Sequence, residues 1–330
     1  MIIPAKYFLT PKISQLLQDI ESSRSVIDSF PIAEEIVQNI RRKSSLKSSL
    51  FSARIEGNIL TLDDLPKTSS KDQKKIEVFN ILKALNWFYQ RGENKDLTLK
   101  DILNLHNLTM RGLISGEELG SFRKDVSAIF NSAGIAIYLP PRPRLVGSLV
   151  EKLVAFINSS KEPFVPLRAC LVHYSFEKIH PFLDGNGRVG RLLLQATLIK
   201  GGYGMKGLLA LEEHLDKKRS HYYAFLDESE KDISNYLEFM LEAIALSAQE
   251  AKNLVLEKKE TEPEDYLLPR RGEILNLIRD QRLVNFDQIR RRFLVVNERT
   301  LRYDLKKLQD ANLIRKKGAT KGVYYESTAN

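Results

Sequence analysis

The sequence predicts a mainly α-helical protein with one short β-hairpin and a small, separate C-terminal module. Three observations point there: apolar residues recur three and four apart over most of the chain, a single stretch reads as β, and the net charge is confined to one end. Its 330 residues suit two or three domains. With 43% hydrophobic and 28% charged residues and no run of 18 apolar positions, the composition is that of a globular chain without a membrane span. The opening MIIPAKYFLTPK lacks the features of a secretory signal, and the one cysteine, Cys170, excludes an intrachain disulfide framework or a multi-cysteine zinc site, so the cytoplasm is the expected compartment.

In chain order, helical spacing covers Ala33 to Ser52, Asp72 to Tyr89, Leu99 to Gly112, Pro143 to Ile157 and Pro166 to Lys178. Between the third and fourth of these, KDVSAIFNSAGIAIYLPP from Lys124 to Pro141 places two β-prone runs around Asn-Ser-Ala-Gly and ends in two prolines, which predicts one hairpin. The charged stretch LEKKETEPEDYL has the composition of an exposed linker, set at residues 256–268. Beyond it, residues 266–330 hold 15 Lys and Arg against 7 Asp and Glu, while the rest of the chain holds 36 against 35. The basic excess therefore belongs to a module at 269–330 whose partner is expected to be a polyanion.

The most informative segment is His180-Pro-Phe-Leu-Asp-Gly-Asn-Gly-Arg-Val-Gly-Arg191, set between two helical patterns. Glycines on either side of Asn186 permit a tight turn that exposes N–H groups where the next helix starts, and those amides together with the helix dipole favour an anion. Arg188 and Arg191, three apart, reach one ligand and hold its oxygens through paired N–H bonds. Asp184 offers the hard oxygen that Mg²⁺ takes alongside substrate phosphates. His180, just before the turn, is suited to remove a proton from an incoming hydroxyl. Gly185-x-Gly187-x-x-Gly190 also fits a dinucleotide fingerprint, with Glu213 downstream, but Tyr174 to Asp184 contains charge and a proline instead of the buried strand that a Rossmann site needs. No Walker motif is present. Phe182 reads as a core anchor for the turn, and His106, His173 and Cys170 read as packing residues on helical patterns.

These residues resemble the Fic family: the segment matches H-x-F-x-[DE]-G-N-G-R-x-x-R at every fixed position, a coincidence on the order of 10⁻⁸ at average residue usage. Gly120-Ser-Phe-Arg123, Tyr138-Leu-Pro-Pro141 and Tyr222-Tyr223 are similar to Fic features as well, and the likeness runs from about Ser70 to Ala251. It implies a Fic-type helical core at 70–255 with the hairpin as a flap, and adenylyl transfer as the activity, in which AMP passes from Mg²⁺-bound ATP to a Tyr, Ser or Thr hydroxyl of a target protein. By that resemblance His180 is the general base and Asp184 the Mg²⁺ ligand. Gly185, Asn186, Gly187, Arg188, Val189, Gly190 and Arg191 hold the nucleotide. Tyr222 and Tyr223 line the adenine, although Glu230 stands where some relatives carry Asn, and Ile129 and Asn131 help the flap hold an extended target segment by β-augmentation.

Upstream, Ser52-Ala-Arg-Ile-Glu56-Gly57-Asn58 ends a helical pattern. Ser52 and Glu56 share a helix face, and Gly57-Asn58 suits a left-handed stop, which by itself describes an ordinary helix end. The segment nevertheless resembles the inhibitory helix of Fic proteins, [ST]-x-x-x-E-[GN]. That likeness implies a helical region at 1–69 in which Ser52, Glu56 and Gly57 act as a brake, Glu56 occupying Arg191 in place of the ATP γ-phosphate.

The C-terminal pattern is helix (Arg270 to Gln281), helix (Phe286 to Leu294), helix (Asn297 to Asp310) and two short strands around Gly318 to Gly322, which resembles a winged helix-turn-helix. Leu301, Leu305 and Leu308 are expected to face its core. Arg299, Thr300, Arg302, Tyr303 and Lys306 then form the face of a DNA-reading helix, with Arg315, Lys316, Lys317 and Lys321 on the wing. Alternative expectations are a DNA-binding regulator whose Fic portion senses nucleotide, removal of AMP from targets with Glu56 activating water, and transfer of another phosphate-containing group. A homo-oligomer is compatible with the sequence.

Overall fold

Thr10, Asp72 and Thr98 each stand one residue before a helix and accept a backbone N–H from its first turn, so three of the N-terminal helices start where a short polar side chain satisfies an otherwise orphaned donor. At Thr98 the cap is reciprocal, because Asp101 reaches back to the Thr98 N–H at 2.8 Å. The computed structural model describes residues 3–31, 34–92, 95–130, 136–257, 267–294, 296–318 and 322–328. Asn131, expected in the flap, and Lys321, expected on the wing, lie outside the described residues.

Contacts divide the chain into two units, Met1–Phe30 with Arg41–Leu256, and Pro31–Ile40 with Glu257–Asn330. The first unit contains, in order, α1 (Pro11–Ser29), α2 (Glu34–Ile55, within this unit from Arg41), α3 (Gln73–Arg91), α4 (Leu99–Met110), β1 (Ile129–Phe130), β2 (Ala136–Tyr138), α5 (Pro143–Ile157), α6 (Val165–Ile179), α7 (Asn186–Lys200), α8 (Glu212–Lys217), α9 (Arg219–Leu226) and α10 (Ser234–Glu257). Nearly every residue of α6 and α7 is buried, and this pair makes the most extensive helix–helix contact of the unit. Helices buried on nearly all sides form the centre of a helical protein, and here the loop joining two such helices is the motif segment. The hairpin is short: Ile129 faces Tyr138 and Phe130 faces Ala136, with an irregular register between them.

The second unit packs α11 (Pro269–Gln281), α12 (Phe286–Arg292) and α13 (Glu298–Asp310) against a three-stranded antiparallel sheet of β3 (Val284–Asn285), β4 (Ile314–Lys317) and β5 (Tyr324–Ser327), in the order β3-β5-β4. Its core includes Ile274, Ile278, Ile289, Leu301, Leu305 and Leu308. Asn297 caps α13 by accepting the Arg299 N–H at 2.8 Å. Asp304, buried on α13, accepts from Arg270 Nε at 2.5 Å and Arg271 Nε at 2.9 Å, which joins α13 to the start of α11.

Candidate active site

Helix α6 ends on His180, whose backbone is left-handed at φ 49°, ψ 60° while its N–H still donates to the Phe176 carbonyl at 2.9 Å. The chain then turns through Pro181 to Gly185 and enters α7. Asn186 closes that turn on itself: its Oδ1 accepts the Phe182 N–H and its Nδ2 donates to the Phe182 carbonyl, both at 2.9 Å. Phe182 is fully buried and stacks on His106, ring centres 3.9 Å apart. Gly185 has φ 84°, and a side chain there would run into Met110. Both constraints leave glycine as the residue that fits.

His106 does more than pack. Its Nδ1 accepts the Gly120 N–H at 2.9 Å, which leaves Nε2 to carry the proton and donate to the Asp184 carbonyl at 3.0 Å. This ring therefore holds the carbonyl of the proposed metal-binding residue. The Asp184 side chain is 59% exposed, and its Oδ1 accepts the Gly185 N–H at 2.5 Å and Arg188 Nη2 at 2.8 Å. Among the described residues no group of three or more His, Cys, Asp or Glu is arranged to hold a metal. One open carboxylate beside this turn fits a Mg²⁺ ion that would arrive with substrate phosphates better than a resident ion.

Two networks surround the start of α7. In the first, Glu77 of α3 uses both oxygens, accepting Arg188 Nη1 at 2.6 Å and Asn58 Nδ2 at 2.8 Å. In the second, Arg191, 1% exposed, donates from Nε to Ser52 Oγ at 3.0 Å and from Nη2 to the Ser52 carbonyl and Glu56 Oε1, each at 2.9 Å. The Glu56 carboxylate also lies over Gly187, so close that a Cβ there would meet Oε1 at 2.3 Å. Gly57, at φ 101°, turns the chain away immediately afterwards. Glu56 thus occupies the guanidinium and covers the first turn of α7, whose N–H groups have no intrahelical acceptor.

Around this point several buried polar atoms have no partner among the described residues: His180 Nδ1, Arg188 Nε, Arg191 Nη1 and Glu177 Oε1. Buried polar groups are ordinarily hydrogen-bonded, so a cluster of unpaired ones in and beside the motif turn fits a place that takes a ligand. Burial depresses the His180 pKa to about 4; the Glu177 backbone carbonyl, Glu56 and Asp184 offset part of that effect and Arg123 adds to it. The imidazole is therefore neutral at physiological pH, as a proton acceptor must be. Burial pushes the Glu177 carboxyl up to about 8, so it is largely protonated at pH 7. For Arg191, burial opposes the charged form, yet the Glu56 carboxylate more than compensates and its pKa rises.

The structure brings together His180, Asp184, Gly185, Asn186, Gly187, Arg188, Arg191, Ser52 and Glu56 in one region, while Val189 and Gly190 are buried on α7. The tyrosine pair stays in ring contact, centres 5.2 Å apart, but its two members differ in burial and in hydroxyl partner. Tyr222 is fully buried and its hydroxyl meets His173 Nε2 at 3.0 Å, whereas Tyr223 is 43% exposed and donates to the Ile55 carbonyl at 3.3 Å, at the end of the segment that bears Glu56. Sequence reasoning missed Glu77 and the hydrogen bonds of His106, since both sit inside ordinary helical patterns. We expect Glu77→Ala to destabilise the chain by about 2–3 kcal/mol in urea unfolding, because it strips a buried guanidinium and an amide of the same acceptor, with Glu77→Gln costing less. Equal urea midpoints for wild type and Glu77→Ala would rule out a structural role for the Glu77 carboxylate.

The comparisons with known proteins come to the same region. Residues 96–198 match the Fic/DOC family. The chain is 28% identical over 236 residues to proteins named Protein adenylyltransferase Fic from Drosophila sechellia and Drosophila melanogaster, a stretch covering 68% of this chain and 45% of each of theirs. The chain thus spans less than half the length of these curated relatives. Among solved structures, a Fic family protein from Desulfovibrio desulfuricans G20 superposes with a TM-score of 0.65 at 24% identity, covering 98% of both chains. A Fic domain containing signaling protein from Bacteroides thetaiotaomicron VPI-5482 gives 0.60 at 21%, covering 76% of this chain and 99% of that one. Residues 96–198, which include the His180 to Arg191 turn, are thus similar to the Fic/DOC family, and the chain shares a Fic fold.

Proposed function

We propose that the chain is a self-inhibited protein adenylyltransferase. The observation that carries this reading is the meeting of Glu56 and Arg191 at the mouth of the motif turn, with unpaired buried donors left around it. In the reaction, a target hydroxyl oxygen attacks the α-phosphorus of ATP, its proton passes to His180, and the bond to pyrophosphate breaks, leaving AMP on the target. Gly187 and the first-turn amides of α7 cradle phosphate oxygens, Arg188 and Arg191 neutralise the tail, and Asp184 would hold Mg²⁺, which supplies charge neutralisation on the phosphates. The target strand would lie along the β1–β2 hairpin near Ile129, and Tyr223, the exposed member of its pair, would face the adenine. The names of the Drosophila relatives support adenylyl transfer as the chemistry.

Product analysis tests the reading. Incubated with Mg-ATP, the Glu56→Gly chain should release pyrophosphate as protein-bound AMP accumulates, with both lost in His180→Ala. Release of ADP with protein-bound phosphate would replace adenylyl transfer by phosphoryl transfer, and AMP leaving a pre-modified target faster in wild type than in Glu56→Gly would favour the removal reaction with Glu56 activating water. No helix among the described residues is long and apolar enough to cross a membrane. The cytoplasm is the compartment that a chain with one buried cysteine fits.

For the second unit we propose a winged helix-turn-helix that binds DNA through α13. Arg299, Arg302, Tyr303 and Lys306 are exposed along one helix and Thr300 is half-buried, while Arg315, Lys316 and Lys317 are exposed on β4. Arg302 is partly engaged, 4.0 Å over the Phe286 ring and 3.6 Å from Glu298. Affinity for duplex DNA should fall steeply between 50 and 200 mM salt, by about 10³-fold if some six phosphates are contacted. Flat salt dependence would favour a protein partner.

A further inference from the structure

Arg123 sits just before the hairpin and is 5% exposed, yet among the described residues its guanidinium pairs with no carboxylate and donates to backbone carbonyls alone. Nε donates to the His180 carbonyl at 2.7 Å, Nη1 to the Asp125 carbonyl at 3.1 Å, and Nη2 to the carbonyls of Pro141 and, at 3.4 Å, Ile179. The Arg123 N–H adds a bond to the Pro181 carbonyl at 3.0 Å. One side chain therefore grips the last residue of α6, the left-handed residue after it, and both feet of the hairpin. A second tie lies beside it, where the Tyr138 hydroxyl donates to the Lys178 carbonyl at 3.0 Å and Lys178 Nζ lies 4.4 Å from the Tyr138 ring centre.

A buried cation without a counter-ion is costly, and a surface position would satisfy the same donors with water. A left-handed C-terminal residue is usually glycine, and a histidine persists there only where its surroundings fix it. The two anomalies explain each other. The His180 carbonyl, turned out of the helix by φ 49°, is the acceptor of the shortest bond from Arg123 whose length lies in the normal range.

We propose that Arg123 is a positioning residue for the base, fixing the left-handed turn at His180 to the feet of the hairpin so that the imidazole and the edge on which an acceptor docks keep one geometry. This rests on the adenylyltransferase reading only for what the geometry is used for. The charged groups that bear on the imidazole are Arg123, Glu56 just after α2 and Asp184 of the motif turn, together with the Glu177 carbonyl on the helix before it.

The test uses the full chain with labelled histidine. Five histidines are present, and the His180 signal is assigned by its loss in His180→Asn. Down to pH ~5 the wild-type ring should stay neutral by NMR, whereas in Arg123→Lys, which keeps the charge but cannot span all the carbonyls, its midpoint should climb toward the ordinary ~6.5 while the other four signals hold. In the Glu56→Gly background, Arg123→Lys should lower AMP transfer by about 10²-fold, the effect of a misplacement near 1 Å, and leave Mg-ATP affinity by calorimetry within about twofold. An unmoved His180 titration, or Mg-ATP affinity falling in step with transfer, would overturn the proposal. If Glu56→Gly with Arg123 intact transfers no AMP, the adenylyltransferase reading fails, and the NMR titration still decides the role of Arg123. Arg123→Met serves as a second variant, expected to shift the ring in the same direction.

Discussion

His180→Ala is expected to abolish AMP transfer both in the wild-type chain and in the Glu56→Gly background, a loss of about 10²–10⁴-fold in the chemical step. Neither of the two fully buried imidazoles outside the motif can substitute. His173 is enclosed by Tyr222 and Tyr236, and His106 spends both nitrogens on backbone groups of the turn. Nucleotide binding should survive, because the amides of α7 and the two arginines are untouched. The pH dependence has a definite sign. With its pKa lowered to about 4 in the folded chain, His180 should remain a competent base well below pH 6, so activity should not show the fall near 6.5 of an ordinary histidine. The unfolded chain binds more protons than the folded one between about 4 and 6.5, so stability drops as pH falls through that window. The drop should be shallower in His180→Ala. Measuring urea midpoints at pH 7 and pH 5 in both proteins checks this.

The second large effect is expected from Glu56→Gly, which should raise transfer by on the order of 10²-fold, the rate difference associated with an α-phosphate held out of line for attack. The same change should lower stability. Arg191 is 1% exposed, and removing its carboxylate leaves a buried charge with no carboxylate beside it, a loss of about 3 kcal/mol by comparison with other broken buried pairs. Activity and stability therefore move in opposite directions on one substitution. Saturating Mg-ATP should recover much of the lost melting temperature in Glu56→Gly, since ligand binding to the native state stabilises it, and should do far less for wild type. Equal labelling by the two proteins, or a melting temperature in Glu56→Gly at or above that of wild type without nucleotide, would remove Glu56 from the inhibitory role.

Much of the site was legible because its chemistry is carried by contiguous residues. From His180 to Arg191 the turn, its glycines and its arginines are local, and the helices on either side follow from apolar spacing that predicts burial. The boundaries of α3, α5 and α6 fall within two residues of the predicted segments for the same reason. Glu56 and Arg191 are 135 positions apart, and their contact was readable only through a family resemblance. Other parts lacked a signal. Glu77 looks like any exposed acid on an amphipathic helix, and nothing in its neighbours says that Arg188 and Asn58 converge on it. His106 reads as core because it is core, and its two hydrogen bonds depend on where Gly120 and Asp184 arrive in space. The tyrosine pair shows the limit of adjacency: neighbours on α9 whose rings touch still differ in burial, Tyr222 joining the interior while the Tyr223 hydroxyl reaches the end of α2. Strand β3, two residues long, is too short to carry a period.

In the proposed reaction the turn after α6 works on the α-phosphate of a nucleotide, and one carboxylate holds it shut. Incubating wild type, Glu56→Gly and His180→Ala with Mg²⁺ and ATP labelled at either the α or the γ position, then counting protein-bound label, tests it most directly. Label is expected from the α position alone, strong in Glu56→Gly, faint in wild type and absent in His180→Ala. Label retained from the γ position, or α label persisting in His180→Ala, would contradict it.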